Sequence, residues 1–328
     1  MKICICGGGN LGLVCAGVLA SKANQVNILT GHPEQWNSVV VVTDLNGKIF
    51  KGNLSCISSN PEEVVANQDM ILLCLPGYLI KQTLQQIKPY IGQAVVGSIV
   101  SSTGFFFDAH EVLGEHAKLF GFQRVPYIAR IEQYGHFAHL LGYKKSLSIA
   151  TENLTDKEAF RKIIEEQFDT PTILLDSFYE AALTNSNPIL HTGRLYTMFK
   201  GKERSPFDHN ILFYREWTDE ASQVLIDMDK EFFVLLNKLE VKRIPTLLDY
   251  YESTDANSLT RKISSIPAFQ NILSPMKEIS QGWVADFNSR YFTEDFPYGL
   301  QYIKNLCNKY NIITPHIDEV LGWGLSLI

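Results

Sequence analysis

Two short segments in the second half of this 328-residue chain carry the residue types that acid–base chemistry needs. One is Asn185-Ser-Asn-Pro-Ile-Leu-His191; the other is Arg290-Tyr-Phe-Thr-Glu-Asp295-Phe-Pro-Tyr-Gly-Leu300. Pro188 suits the first turn of a helix with Asn187 as its cap, which sets His191 one turn inside, projecting from a rigid element. An imidazole changes charge near neutral pH and can take or give a proton. Pro297 suits the start of another helix and places Asp295 beside its positive end, where a carboxylate stays ionised. Arg290 lies in the connection leading in. Each residue also has a plain reading. A lone helical histidine is ordinarily structural or exposed, and an Arg–Asp pair at this spacing is ordinarily a surface ion pair.

A third segment has the composition of an anion cradle. Lys2-Ile-Cys-Ile-Cys6 reads as a buried strand, runs into Gly7-Gly-Gly-Asn10-Leu11-Gly12, and continues as the small apolar helix Leu13–Ala20. Strand, G-x-G-x-x-G and helix in that order form the context in which the motif binds a dinucleotide. Gly7 allows the tight turn, Gly9 lets the backbone approach a pyrophosphate, and Gly12 lets helix and strand pack closely. Asn10 and Leu11 of the loop are expected at the cofactor too, and the N-terminus of the helix that follows presents free N–H groups to an anion. The second strand, Gln25–Leu29, ends at Thr30-Gly-His32-Pro33 without the Asp or Glu that would bond a ribose 2′-hydroxyl. Thr30 and His32 are placed to face a 2′-phosphate instead, which tilts the expected cofactor towards NADP, with NAD as the alternative. The apolar run Asp69–Leu75 reads as a central parallel strand, ending in Leu75-Pro76 at the edge where cofactors lie in such sheets. The hydroxyls of Ser101-Ser-Thr-Gly104 are expected either to meet nicotinamide ribose or substrate, or to cap a helix.

The elements that must position these groups fall into two halves. Residues 1–176 read as a Rossmann-type, doubly wound α/β domain, and residues 177–328 as an all-helical domain with no strand after Leu175. Val39–Thr43 and Lys48–Lys51 flank Asp44-Leu-Asn-Gly47, a hairpin read as an insertion on the nucleotide side. In the second half, Thr218 is the expected cap of a helix whose apolar residues recur at three- and four-residue intervals from Ala221 to Leu239. Most of the Tyr and Phe residues there (Tyr250, Tyr251, Tyr291, Phe292, Tyr298) are expected in the core. A hydrophobic content of 45% with 20% charged residues describes a globular protein, and a net charge of −6 gives no reason to expect nucleic acid or an anionic membrane as partner. No window approaches the length of a membrane span, and the N-terminus reads as strand rather than leader. The six cysteines lack a second Cys/His pair at ligand spacing, so core thiols in the cytoplasm are expected and no metal site.

Together the two C-terminal segments resemble the opine dehydrogenase family, the octopine and nopaline dehydrogenases. Its N-x-x-x-H segment is matched by Asn187-Pro-Ile-Leu-His191. Its arginine followed by a D-x-P-[YF]-G-L run is matched by Arg290 and Asp295-Phe-Pro-Tyr-Gly-Leu300. The resemblance covers essentially the whole chain. It implies a Rossmann domain followed by a helical domain in the 6-phosphogluconate-dehydrogenase-like arrangement. It further implies that an α-keto acid is reductively condensed with the amino group of an amino acid, with NAD(P)H as hydride donor. By the same resemblance His191 is the general acid/base, Asp295 bonds its other ring nitrogen, and Arg290 receives a substrate carboxylate, with Asn187 also facing substrate. The chain is short for the family's better-known members, so loops that shape their amino-acid pocket are expected to be reduced. Two other readings stay open. A ketopantoate-reductase-like or other 2-hydroxy-acid dehydrogenase would use a lysine early in the helical half, but Glu180–Leu195 contains none. A non-catalytic NADP(H)-binding sensor would have no use for the His, Arg and Asp. A homodimer stays open as the assembly.

Overall fold

The computed structural model describes residues 1–102 and 104–328, so Thr103 of the Ser101–Gly104 segment lies outside the described residues. The chain divides into two compact units, Met1–Thr184 and Asn185–Ile328.

In chain order the first unit runs β1 (Lys2–Cys6), α1 (Asn10–Ala20), β2 (Gln25–Leu29), β3 (Val39–Asp44), β4 (Ile49–Ser58), α2 (Pro61–Val65), β5 (Met70–Leu73), α3 (Gly77–Ile87), β6 (Val95–Ser98) and α4 (Phe105–Leu113). It continues through β7 (Leu119–Phe122), β8 (Tyr127–Gln133), β9 (Phe137–Tyr143), β10 (Leu147–Glu152), α5 (Lys157–Phe168), β11 (Thr172–Leu174) and α6 (Phe178–Leu183). The strands form one 11-stranded sheet in the order β11-β10-β7-β6-β5-β1-β2-β4-β3-β9-β8. β1 lies at its centre, parallel to both β2 and β5. Ile3–Cys6 and Met70–Leu73 are buried on both faces because each face is covered. α1 and α5 pack on one side, and α2, α3, α4 and α6 on the other.

One expectation is corrected here. The Val39–Ser58 hairpin is no insertion: β4 pairs parallel with β2 and carries the sheet outward to β3, β9 and β8. The cause lies in the alternation of β4, whose buried Phe50, Gly52 and Leu54 face inward while Lys51, Asn53 and Ser55 face out. By internal contacts the two units divide after Thr184, eight residues beyond the expected 176. α6 stays with the first unit because Phe178 packs against Phe106 and His110, at ring-centroid distances of 5.1 and 5.3 Å.

The second unit contains α7 (Asn187–Phe199), α8 (Asp219–Lys238), α9 (Leu247–Tyr250), α10 (Ala256–Ser265), β12 (Met276–Ile279), β13 (Gly282–Ala285), α11 (Arg290–Thr293), a π-helical turn (Phe296–Leu300), α12 (Gln301–Lys309) and α13 (Pro315–Leu325). The Thr218 hydroxyl accepts the Ala221 N–H at 3.2 Å and starts α8. α7 packs against α8, α13 and the π turn. The unit is helical except for the antiparallel β12–β13 hairpin, which corrects the all-helical expectation. Its strands are short and partly charged, so no alternating apolar run announces them. Phe292 and Tyr251 are buried as expected, whereas Tyr250 is 60% exposed.

Candidate active site

The first part of the site is made by backbone. Gly7 adopts φ +112°, and its N–H donates to the Leu29 carbonyl at 2.9 Å, turning the chain from β1 into α1. A Cβ on Gly12 would stand 2.0 Å from the Gly7 carbonyl oxygen, so only glycine lets helix and loop close. Gly9 is different: it caps α1, and a Cβ there would meet nothing within 4 Å. That open face, with the unpaired N–H groups of the first helical turn behind it, fits a pyrophosphate. No acidic side chain stands in that turn to oppose one. A cleft of about 410 Å³ opens over the loop, lined by Gly7, Gly8, Gly9, Thr30, Leu75 and Tyr134 among others.

Other residues expected at the cofactor stand outside that lining. Leu11 packs towards the core, and Gly12 is buried beneath the loop. Asn10 turns aside, its Oδ1 accepting the Ile131 N–H of β8 at 2.8 Å. Pro76 caps α3. His32 is exposed, with Nδ1 3.6 Å from Glu34 Oε1. Thr30 is buried, and its hydroxyl lies 3.1 Å from the Tyr134 hydroxyl. Tyr134, from the turn between β8 and β9, was not legible as a cleft residue, since the second strand of that hairpin carried no clear signal. Ser101 is buried, with no partner for its hydroxyl among the described residues, and α4 is capped by Gly104.

The second part is made by side chains. Helix α7 begins one residue earlier than expected, so Asn187 is its first residue rather than its cap. Ser186 takes the cap position, and Asn185 Oδ1 accepts the Asn187 N–H at 3.3 Å. His191 lies one turn further along. Asp295 precedes the π turn, and its carbonyl accepts the Leu300 N–H at 2.8 Å. Gly299 lets this turn lie against the start of α7: a Cβ there would come within 2.8 Å of Pro188 Cγ. The Pro and Gly of the two motifs thus bring Asp295 to His191.

Asp295 Oδ2 lies 2.8 Å from His191 Nδ1, and the Tyr214 hydroxyl lies 2.9 Å from Nε2. A carboxylate only accepts, so Nδ1 carries the proton and donates to Asp295; Nε2 then accepts from the Tyr214 O–H. His191 is only 8% exposed and is packed by Tyr291 and Phe213, at centroid distances of 4.7 and 5.6 Å. Burial pushes the Tyr214 phenol well above its usual range, so it is protonated at neutral pH. Burial raises Tyr291 in the same way, with the Asp295 charge adding to it.

Arg290, at the start of α11 and next to Tyr291, is exposed, and its guanidinium makes no bond among the described residues. The Asn187 amide is likewise unengaged, and it shares a helix face with His191. Sequence reasoning missed Tyr214 and Arg194. Arg194 is 2% exposed and lies on α7 one turn after His191. It donates from Nε to the Phe213 carbonyl (3.2 Å) and from Nη2 to the Glu216 carbonyl (2.6 Å), and lies over the Trp217 ring. Burial lowers it to about 10. An arginine on the buried face of a helix was the available signal.

Comparison with known proteins fixes the class. Residues 174–328 match the family described as NAD/NADP octopine/nopaline dehydrogenase, alpha-helical domain, and residues 3–104 match ketopantoate reductase PanE/ApbA. A Rossmann unit followed by this helical unit defines a nicotinamide-dinucleotide-dependent dehydrogenase. Opine dehydrogenase of Haliotis discus hannai is 27% identical, over 98% of this chain and 89% of its own length. Tauropine dehydrogenase of Arabella iricolor is 24% identical, over 99% of this chain and 90% of its own. A solved structure of octopine dehydrogenase with NADH and L-arginine shares the fold with a TM-score of 0.88 and 22% identity, covering 99% of this chain and 89% of that one. Along essentially its whole length the chain is similar to opine dehydrogenases, and it is an NAD(P)-dependent oxidoreductase acting on CH–NH. No helix among the described residues is long and apolar enough to cross a membrane.

Proposed function

We propose that this chain joins an α-keto acid to the amino group of an amino acid through His191, giving an N-(carboxyalkyl)amino acid. The observation that carries the residue assignment is the part-buried His191–Asp295 pair bonded through Nδ1. Asp295 holds the tautomer and stabilises the ring when it becomes charged. The imidazole is the sink for the proton lost by the incoming ammonium and the source of the one gained by the carbonyl-derived oxygen. Arg290 offers a planar fork to a substrate carboxylate, and Asn187 an amide on the same helix face as His191. The dinucleotide, held over Gly7 and Gly9, supplies the hydride. Octopine dehydrogenase structures hold L-arginine in one case and pyruvate in another, which supports an amino acid and a keto acid as the substrate classes here.

NADPH is the donor we favour, with NADH as the alternative. No Asp or Glu follows directly on β2, and His32 stands exposed at that end with Glu34 beside it. Glu34→Gln should then raise the NADPH/NADH ratio of kcat/KM, and an unchanged ratio would place the 2′-phosphate elsewhere. A soluble nicotinamide pool and free thiols make the cytoplasm the proposed compartment. The chemical reading is tested by mass spectrometry of mixtures of keto acid, amino acid and reduced cofactor. The joined product should form, and should be lost with His191→Ala; formation of a 2-hydroxy acid alone would contradict it.

A further inference from the structure

Both ring nitrogens of His191 are taken: Nδ1 by Asp295 and Nε2 by the Tyr214 hydroxyl. Nε2 has one lone pair, in the ring plane, so a substrate that met it directly would first have to displace Tyr214. That ring is pinned. It stacks on Trp217 (6.0 Å, 9°) and on Phe269 (4.5 Å, 28°), with Phe213 edge-on at 4.9 Å. Its backbone is held from two sides. Arg194 of α7 clamps the Phe213 and Glu216 carbonyls, and the Phe213 N–H donates to Ile272 at 2.8 Å. A buried arginine bonded to two carbonyls, with no carboxylate in salt-bridge range among the described residues, is a costly way to fix a loop unless the loop must stay fixed.

We propose that Tyr214 is a catalytic residue: its hydroxyl exchanges protons with the substrate, and His191 acts through it. This rests on the reading of His191 as the acid/base group. In the step that activates the amine, an N–H bond of the substrate ammonium breaks and an O–H bond forms at Tyr214, while the original Tyr214 O–H breaks and Nε2–H forms. The positive charge moves from substrate to imidazole, where Asp295 faces it, and the amine keeps the electron pair that attacks the keto carbon. When the carbonyl-derived oxygen needs a proton, the same two transfers run in reverse. The phenol starts and ends each step neutral, as its burial requires.

The test compares Tyr214→Phe, which keeps the ring stack and removes only the hydroxyl, with His191→Ala, with folding followed by thermal melting. Tyr214→Phe should lower kcat about 100-fold while leaving KM nearly unchanged. Rates in H₂O/D₂O mixtures should curve for the unaltered enzyme, as two protons in flight require, and fall on a straight line for the residual activity of the variant. A folded Tyr214→Phe within about threefold of full kcat, beside an inactive His191→Ala, would overturn the relay and leave His191 meeting substrate directly. A straight line for the unaltered enzyme would overturn it without any variant. Full activity in His191→Ala would remove the assignment of His191 and the relay with it.

Discussion

The two units offer a ligand opposite materials for holding it in register. The dinucleotide loop is built by withholding side chains: Gly7 supplies a positive φ, Gly12 a contact that a Cβ would block, and Gly9 an open approach. The helical unit concentrates side chains instead. His191, Asp295, Tyr214 and Tyr291 come from three separated stretches, and each constrains another. A backbone site tolerates change anywhere except at its glycines. A side-chain network fails at any member, because each lost partner leaves another buried group unpaired.

That contrast can be broken experimentally. His191→Ala should cost about 10²–10⁴-fold in kcat, with the dinucleotide Kd unchanged by fluorescence titration. A weakened Kd would mean that the network also serves the cofactor. Asp295→Asn should act nearly as strongly, since an amide that donates to Nδ1 favours the wrong tautomer. Gly12→Ala should destabilise the fold by about 1–3 kcal/mol in denaturant titrations, because the new Cβ meets backbone that cannot yield freely. Gly9→Ala should leave stability within about 0.5 kcal/mol and weaken dinucleotide binding instead, which separates the structural glycine from the functional one.

A further effect, on stability alone, concerns Asp229, a buried carboxylate of the helical unit. Burial raises its carboxyl from 3.8 to about 6, against the Leu247 N–H that donates to it. Between those values the folded chain holds a proton that the unfolded chain has released, so stability falls as pH rises through the window. Asp229→Asn keeps an acceptor for Leu247 and removes the charge. Its melting temperature should exceed that of the unaltered protein at pH 7, by about 1–3 kcal/mol of stability, and the gap should close towards pH 4.

Legibility followed the same division. Glycine spacing after a strand is a local pattern, so the cradle and the central strands could be read directly. The helical site was read only through two short motifs, whose Pro188 and Gly299 turn out to pack against each other. Tyr214 and Arg194 lay in no motif, because their value comes from tertiary contacts with α7 rather than from neighbours in sequence. The place of β4 in the sheet was missed for a similar reason. A hairpin signal gives the local pairing of two strands but not the strand that the hairpin will join.

The most direct measurement is oxidation of NADPH and NADH by the purified protein. It would use pyruvate, 2-oxoglutarate or glyoxylate, each with and without a panel of amino acids. The account predicts oxidation that requires a keto acid and an amino acid together. Oxidation at full rate with the keto acid alone would contradict it and make the protein a simple ketone reductase.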